Sequence, residues 1–138
     1  MFDYSDSMFS DLVQSYYNSP VHNTPPAEVT VSRHEWNSVC GDHITVYLTI
    51  VDDVITDRGF DGDTSLITTA AAGFFGDLVI GQSIQTVLTR WEQTMIDEGF
   101  EVSSRRRRAR VIALMATQNA IHQYQKTDRV VRFEELLT

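Results

Sequence analysis

The segment 44–50 constrains the fold more than any other part of this chain, because apolar and polar residues alternate in it without a break. The apolar positions are Ile44, Val46, Leu48 and Ile50, and the polar positions between them are Thr45, Tyr47 and Thr49. Successive side chains of a β-strand point to opposite faces of a sheet, so this pattern predicts a strand with one buried face. A sheet that is covered on one side only is typical of antiparallel strands.

Two neighbouring segments extend the predicted sheet to three strands. The segment 29–32 alternates valine with threonine or serine, which predicts a strand before the central one. Asp52 and Asp53 favour a turn, and the segment 54–61 then predicts the returning strand of a hairpin. Three antiparallel strands with one buried face are the simplest arrangement.

Helical periodicity marks the segments on either side of the predicted sheet. The first helix is predicted over 7–18, and Pro20 ends it. After the sheet, Thr64 or Ser65 is suited to cap a helix that is expected to run to about Phe75. The glycine that follows Phe75 is expected to end this helix.

The last third of the chain predicts two further helices. One is expected from its cap at Ser83 to Gly99, on an apolar stripe that includes Trp91. The other is expected over 104–125 with one apolar face, and the tail 130–137 has no clear period. Together these patterns predict an α+β fold in which helices pack on one side of a small three-stranded antiparallel sheet.

Composition limits the class of protein and the kinds of partner. The 138 residues are 42% hydrophobic and 22% charged, which predicts one globular domain over 1–138. A formal net charge of -8 repels phosphate backbones and anionic lipids, so neither nucleic acid nor membrane is an expected partner. With one cysteine, no signal-like N-terminus and no apolar run long enough to cross a bilayer, the expected location is the cytoplasm.

The single cysteine, Cys40, precedes the central strand and is followed by Gly41 and Asp42. A loop leaves a thiol accessible, and glycine permits a tight turn there. A carboxylate two residues further on can join the sulfur in a mixed ligand sphere for zinc or iron. A small buried cysteine followed by a turn-forming aspartate would give the same three letters, so the motif alone leaves both interpretations open.

Four short segments occur in a fixed order around this motif. They are Tyr17-Asn18-Ser19-Pro20, Asn37-Ser38-Val39-Cys40-Gly41-Asp42, Phe60-Asp61-Gly62-Asp63-Thr64-Ser65 and Arg108-Ala109-Arg110-Val111. In order, spacing and predicted elements they resemble the iron–sulfur cluster assembly proteins of the IscU/SufU/NifU N-terminal type over about 12–125. The resemblance implies a SufE/NifU-like fold and a role as a cluster scaffold or as a sulfur acceptor.

The resemblance also implies a metal site built from three cysteines and an aspartate, and this chain departs from it twice. Ser65 stands where the second cysteine is expected, and Val111 stands where the third is expected. A serine hydroxyl keeps its proton near neutral pH and is a poor ligand, and valine has no ligating atom. Cys40 and Asp42 remain as metal ligands, so iron, zinc or an iron–sulfur cluster is expected to be absent or shared with a partner or a second copy of the chain.

A sulfur-acceptor role needs less than a scaffold role, because it needs one accessible thiolate and a docking protein. Cys40 is then the persulfide acceptor, and the resemblance places Arg108 and Arg110 beside it and Asp42. A guanidinium paired with Asp42 would replace part of the missing metal charge. The expected partner is a cysteine desulfurase or another assembly protein, and the chain alone is not expected to turn over a small molecule. The alternative is a protein-interaction module that kept the fold after losing its site.

Of the four histidines, His34 and His43 are the two weak candidates for replacement ligands. His34 lies six residues before Cys40 and would have to fold back toward it. His43 follows Asp42 directly, and on a strand it would point to the opposite face. Both are retained as candidates only.

The run Arg105–Arg108, with Arg110, places like charges at the start of the last predicted helix, where the helix dipole opposes them. Three interpretations compete. The run is a solvated helix start, a docking patch for an acidic partner, or a nucleic-acid patch. The net charge and the lack of interleaved aromatic residues weigh against the third interpretation.

Overall fold

The computed structural model describes residues 10–39, 41–89, 94, 100 and 102–137. Its elements, in chain order, are α1 Ser10–Asn18, β1 Val31–Asn37, β2 Asp42–Val51, β3 Val54–Asp63, α2 Leu66–Val79, α3 Ile84–Val87, a 3₁₀ turn Ser104–Arg106, α4 Arg107–Tyr124 and α5 Phe133–Leu136. The part of the predicted first helix before residue 10, and most of the predicted helix after residue 89, including Trp91 and Gly99, lie outside the described residues.

The three strands form one antiparallel sheet in the order β1-β2-β3, as the alternation in 44–50 predicts. The even-numbered residues of β2 are buried and the odd-numbered ones are partly exposed. Asp52 and Asp53 form the β2–β3 turn with φ of 53° and 62°, the left-handed conformation that a tight hairpin turn needs. The first strand begins at Val31, and Val29 is exposed, so the predicted strand start at 29 is wrong by two residues.

The helices cover one face of the sheet, which confirms the predicted architecture. The central element is α4, which packs against β1, β2 and α2. Its residues 109–122 are all buried, so the prediction of one buried face is wrong for this helix. The reason is that the sheet, α2 and the C-terminal segment enclose α4 on several sides.

The second helix runs through Gly76 to Val79, so the predicted end at Gly76 is also wrong. A Cβ at Gly76 would lie 2.7 Å from an Arg58 guanidinium nitrogen and 2.8 Å from the His22 ring. The glycine therefore makes room for these two side chains and does not terminate the helix. Its cost to helix propensity is about 1 kcal/mol relative to alanine, and the packing of α2 offsets that cost.

Two side-chain amides of α4 attach other segments of the chain to this helix. Asn119 donates to the Val131 carbonyl (3.0 Å) and accepts from the Val131 amide (2.6 Å). Gln118 donates to the carbonyls of Val87 and Thr89.

Ser83 caps α3 by accepting from the Thr86 amide, as predicted. None of the helices in the described part of the chain is long and apolar enough to cross a membrane.

A polar network attaches α1 and the segment that follows it to α2. The Asp77 carboxylate accepts from the Tyr16 hydroxyl (2.6 Å) and lies 2.7 Å from His22 Nε2. Burial, the hydrogen bond to Asp77 and the charge of Asp77 together raise the pKa of Tyr16 to about 12.

We expect the stabilisation that this network provides to be lost at alkaline pH. In the unfolded chain the Tyr16 phenol ionises near its ordinary pKa of about 10, whereas the folded chain retains its proton to about 12. The stability that Tyr16 contributes is therefore complete below pH 10 and is lost as the pH rises toward 12. Urea unfolding of wild type and Tyr16→Phe between pH 8 and pH 11.5 would measure this, and a stability difference that is independent of pH would contradict it.

Candidate functional site

The loop between β1 and β2 is held by Asn37, the last residue of β1. The side chain of Asn37 is buried, and its Oδ1 accepts from the Val39 amide (3.1 Å). Its backbone carbonyl accepts from the Gly41 amide (2.8 Å). Gly41 has a φ of +81°, which favours glycine, so the sequence reason for a glycine here is confirmed. Cys40, between these two anchored neighbours, lies outside the described residues.

Asp42, the first residue of β2, is 5% exposed and points toward α2. Its Oδ1 accepts from the Ser65 backbone amide (2.8 Å). Its Oδ2 accepts from the Ser65 hydroxyl (3.0 Å) and from the Thr68 hydroxyl (2.6 Å). Both carboxylate oxygens are thus used by donors at the start of α2, where the positive end of the helix dipole also favours a negative charge.

Ser65 was predicted to cap α2, and it occupies the N-cap position with extended backbone angles. Its side chain makes no capping hydrogen bond, because the hydroxyl donates to Asp42 instead. The Asp42 carboxylate therefore satisfies the Ser65 amide from the neighbouring strand. This contact joins the first residue of β2 to the beginning of α2.

Sequence reasoning missed Thr68, which is fully buried and makes the shortest hydrogen bond to Asp42. A signal existed, because position 68 lies three residues after the cap and so faces the same end of the helix. The hydroxyl of the adjacent threonine, Thr69, makes a hydrogen bond with the neutral Thr64 hydroxyl (2.6 Å).

We expect Thr68→Val to destabilise the protein by roughly 1.5–3 kcal/mol, because it removes a donor to a buried carboxylate without changing the side-chain shape. Thr69→Val removes a bond between two neutral hydroxyls and should cost about 1 kcal/mol or less. Urea unfolding of both variants with unchanged m-values would measure the difference. Equal losses for the two variants would show that the Asp42 bond contributes nothing special.

Among the described residues, positions 65 and 111 contribute no thiolate to a metal site. Val111 is fully buried and apolar, and the Ser65 hydroxyl acts as a hydrogen-bond donor to Asp42. Within the residues that the structure describes, no three histidine, cysteine, aspartate or glutamate side chains are grouped so that they could hold a metal ion. A tetrahedral zinc site needs four ligands, and Cys40 with Asp42 would supply two.

A cleft of about 310 Å³ opens beside the Asn37 loop. The β1–β2 loop, the start of α2 and the arginine run each supply part of its wall. The lining residues are Asn37, Val39, Ser65, Leu66, Ile67, Arg105, Arg106, Arg108 and Ala109. Ser65 and Arg108 therefore line the same cleft as Val39, the residue before Cys40 in the chain.

The arginines of the predicted site have surroundings that the sequence did not indicate. The Arg108 guanidinium lies over the Phe133 ring, 4.7 Å from its centroid. Arg110 is 3% exposed and is not part of the cleft lining. Packing of α5 against α4 places Phe133 beneath Arg108, and no sequence pattern indicated α5.

The two candidate histidines lie on the open face of the sheet. His43 alternates with Asp42 on β2 and so points away from α2, as predicted. His34 is exposed on β1, and its ring centroid lies 5.4 Å from that of His43. Because Asp42 faces the helices, neither imidazole is available to complete a site with it.

Comparison with known proteins identifies relatives of this chain. The chain is 30% identical over 86 residues to the iron–sulfur cluster assembly scaffold protein IscU of Thermotoga maritima, covering 62% of this chain and 61% of that protein. It is 24% identical over 84 residues to the zinc-dependent sulfurtransferase SufU of Bacillus subtilis, covering 61% of this chain and 56% of that protein. Each match thus spans less than two thirds of the relative's length.

A solved structure shows the same fold. A protein of Fervidobacterium islandicum, described as an iron–sulfur cluster assembly scaffold for the SUF system, aligns with a TM-score of 0.68 at 18% identity. The alignment covers 85% of this chain and 98% of that one. The model of the NifU-like N terminal domain matches residues 8–130, which is most of the chain. The chain therefore belongs to the NifU-like N-terminal domain family.

Proposed function

We propose that this chain acts in iron–sulfur cluster assembly as a sulfur acceptor, with Cys40 as the residue that receives the sulfur. Family membership supports the general role, since its relatives include a cluster scaffold and a sulfurtransferase. The proposal assigns the chain a protein partner that supplies persulfide, of the cysteine desulfurase type, and a reducing location such as the cytoplasm. A single domain over 1–138 is part of the same proposal.

The observation that carries the proposal is the position of the loop that contains Cys40. Its neighbour Val39 is 76% exposed and lines the cleft together with three arginines. Positive charge near a thiol stabilises the thiolate, which is the form that attacks sulfur. On either side of Cys40 in the chain, the Val39 and Gly41 amides donate hydrogen bonds to Asn37.

The proposed step needs no external oxidant or reductant. The Cys40 thiolate attacks the outer sulfur of the donor's persulfide, and a new sulfur–sulfur bond forms at Cys40. The donor's own sulfur–sulfur bond breaks, and the donor cysteine leaves as a thiolate. The persulfide has then moved from the donor to Cys40, and the number of sulfur–sulfur bonds is unchanged.

Iron or an iron–sulfur cluster would be cargo for this chain, and its own ligands would be Cys40 and Asp42. Ser65 and Val111 add no thiolate, so a held cluster would need further ligands from a partner or from a second copy of the chain. Arg105, Arg106 and Arg108 line the adjacent cleft and are the basic groups that we assign to the acceptor site. Arg110 is assigned a structural role, since it is buried in α4.

A second candidate function is a protein-interaction module without sulfur chemistry. One observation favours it, namely that both Asp42 oxygens already accept hydrogen bonds from Ser65 and Thr68. A carboxylate used in this way stabilises the fold without any ligand. The retained cysteine in the Cys40-Gly41-Asp42 segment favours the acceptor function.

Persulfide transfer to the purified chain would test the proposal. The chain would be prepared without oxygen and incubated with a cysteine desulfurase and isotopically labelled cysteine, and the label at Cys40 would be read by mass spectrometry. We expect a mass increase of one sulfur on Cys40 in wild type and none in Cys40→Ser. Iron, zinc and acid-labile sulfide would be measured in parallel. Absence of label together with absence of metal would leave the interaction module as the function.

A further inference from the structure

The structure divides the arginine run into two groups with different surroundings. Arg105, Arg106 and Arg108 line the cleft. Arg107 donates to the Leu137 carbonyl (3.0 Å), and Arg110 is buried within α4. Three of the five arginines therefore face a cavity, and the other two hold the helix in place.

The cleft concentrates positive charge in a chain whose net charge is -8. The first turn of α4 contains no acidic residue, and neither does the first turn of α2, whose start forms the opposite wall. Positive charges at the positive end of a helix dipole are unfavourable. Arg105 is exposed and makes no hydrogen bond or ion pair within the described part of the chain. An anion in the cleft would reduce this repulsion.

Beside the arginines, Asn37 and Ser65, the cleft has an apolar wall, which limits the kind of anion that fits it. Val39 and Leu66 are 76% and 42% exposed, and Ile67 and Ala109 complete the apolar wall. A lone inorganic oxyanion would contact the guanidiniums and leave this wall in water. An extended segment that carries both carboxylates and aliphatic side chains would cover both parts.

We propose that this cleft binds an acidic, partly aliphatic peptide segment of a partner protein. Arg105 and Arg108 receive its carboxylates, and Val39 with Leu66 receives an aliphatic side chain. Stacking on Phe133 restricts the Arg108 guanidinium before binding, which reduces the entropy that binding costs. This inference rests on the proposed function in one respect, which is that the sulfur donor is taken to be the protein that carries the peptide segment.

Fluorescence anisotropy with two labelled peptides would test the cleft directly. One probe alternates glutamate with leucine, and the other has glutamine in place of glutamate. We expect the full-length chain to bind the glutamate probe at least about tenfold more tightly than the glutamine probe. Arg105→Gln and Arg108→Gln should each weaken binding about three- to tenfold, the range expected for one partly exposed charge-assisted contact.

Two variants serve as matched controls. Arg132→Gln makes the same charge change at an exposed arginine outside the cleft lining and should leave binding within about twofold. Phe133→Leu removes the ring beneath Arg108 without changing charge, and we expect a smaller loss than for Arg108→Gln. Equal losses for Arg132→Gln and Arg105→Gln would overturn the proposal, because they would show that net charge alone matters.

Other anions provide the opposing outcomes. Inorganic phosphate or a single-stranded oligonucleotide that bound more tightly than the glutamate probe, with the same dependence on Arg105, would overturn the peptide assignment. Cys40→Ser separates this inference from the sulfur chemistry, since it should bind the peptide as wild type does and accept no sulfur. Peptide binding without any sulfur transfer in wild type would refute the proposed function and leave the cleft assignment standing.

Discussion

A chain that carries Ser65→Cys and Val111→Cys together should bind zinc tightly enough to retain it through gel filtration, whereas the wild-type chain should not. The double variant would add two thiolates to Cys40 and Asp42, which gives the four ligands of a closed tetrahedral site. Ser65→Cys also removes one of the two hydroxyls that donate to Asp42 Oδ2, and Thr68 remains as the other. Zinc at 100 times its dissociation constant would stabilise the fold by about 2.7 kcal/mol.

Metal content per chain and the zinc dependence of thermal unfolding would be measured for the double variant and for each single variant. The single variants have three ligands at most and should bind weakly. Adding Asp42→Ala to the double variant should again weaken binding, because one of the four ligands is removed. Tight stoichiometric zinc in the wild-type chain would show that Ser65 and Val111 do not determine metal binding.

Arg58→Ala should destabilise the fold by about 3–5 kcal/mol, whereas Arg58→Met should cost roughly 1.5 kcal/mol or less. Arg58 on β3 is 1% exposed and donates to the Ala72 carbonyl (2.7 Å) and to the Thr117 hydroxyl (3.3 Å). Burial lowers its pKa to about 9, and the charge of Asp77 opposes this shift, so the guanidinium remains charged at neutral pH. Alanine would leave a cavity, whereas methionine fills a similar volume without a charge to desolvate.

Urea unfolding of these two variants and of Arg132→Ala would measure the contrast. Arg132 is exposed, so its loss should change stability by no more than about 0.5 kcal/mol. A loss for Arg58→Met as large as that for Arg58→Ala would show that the hydrogen bonds of Arg58, and not its volume, stabilise the core.

The sheet was predictable because one physical rule determines it. Burial of one face requires alternation along β2, and the alternation from Ile44 to Ile50 is unbroken in the sequence. The continuation of α2 through Gly76 was not predictable. The glycine is needed there because the side chains of His22 and Arg58, which are distant in sequence, pack against it. Local rules assign glycine to helix ends, and long-range packing overrides them here.

The sequence indicated residues of the candidate site but not their contacts. Cys40 and Asp42 were selected from the Cys40-Gly41-Asp42 motif and Ser65 from the family resemblance, and the structure places Asp42 against Ser65. The position of Thr68 three residues after the cap was a signal in the sequence, but its partner was not, because its hydroxyl reaches Asp42 only when α2 lies beside β2. The stacking of Arg108 on Phe133 likewise depends on α5, whose four residues are too few to show a period.

The hydrogen bonds of Asp42 hold β2 against α2 without a metal ion. A carboxylate in this position can exchange a metal bond for hydrogen bonds from hydroxyls, and its attachment of β2 to α2 is kept. The resemblance implies thiolates at positions 65 and 111, and a fold attached in this way tolerates their replacement one at a time without unfolding. Small zinc domains lack this freedom, because their folding energy is the binding energy of the metal.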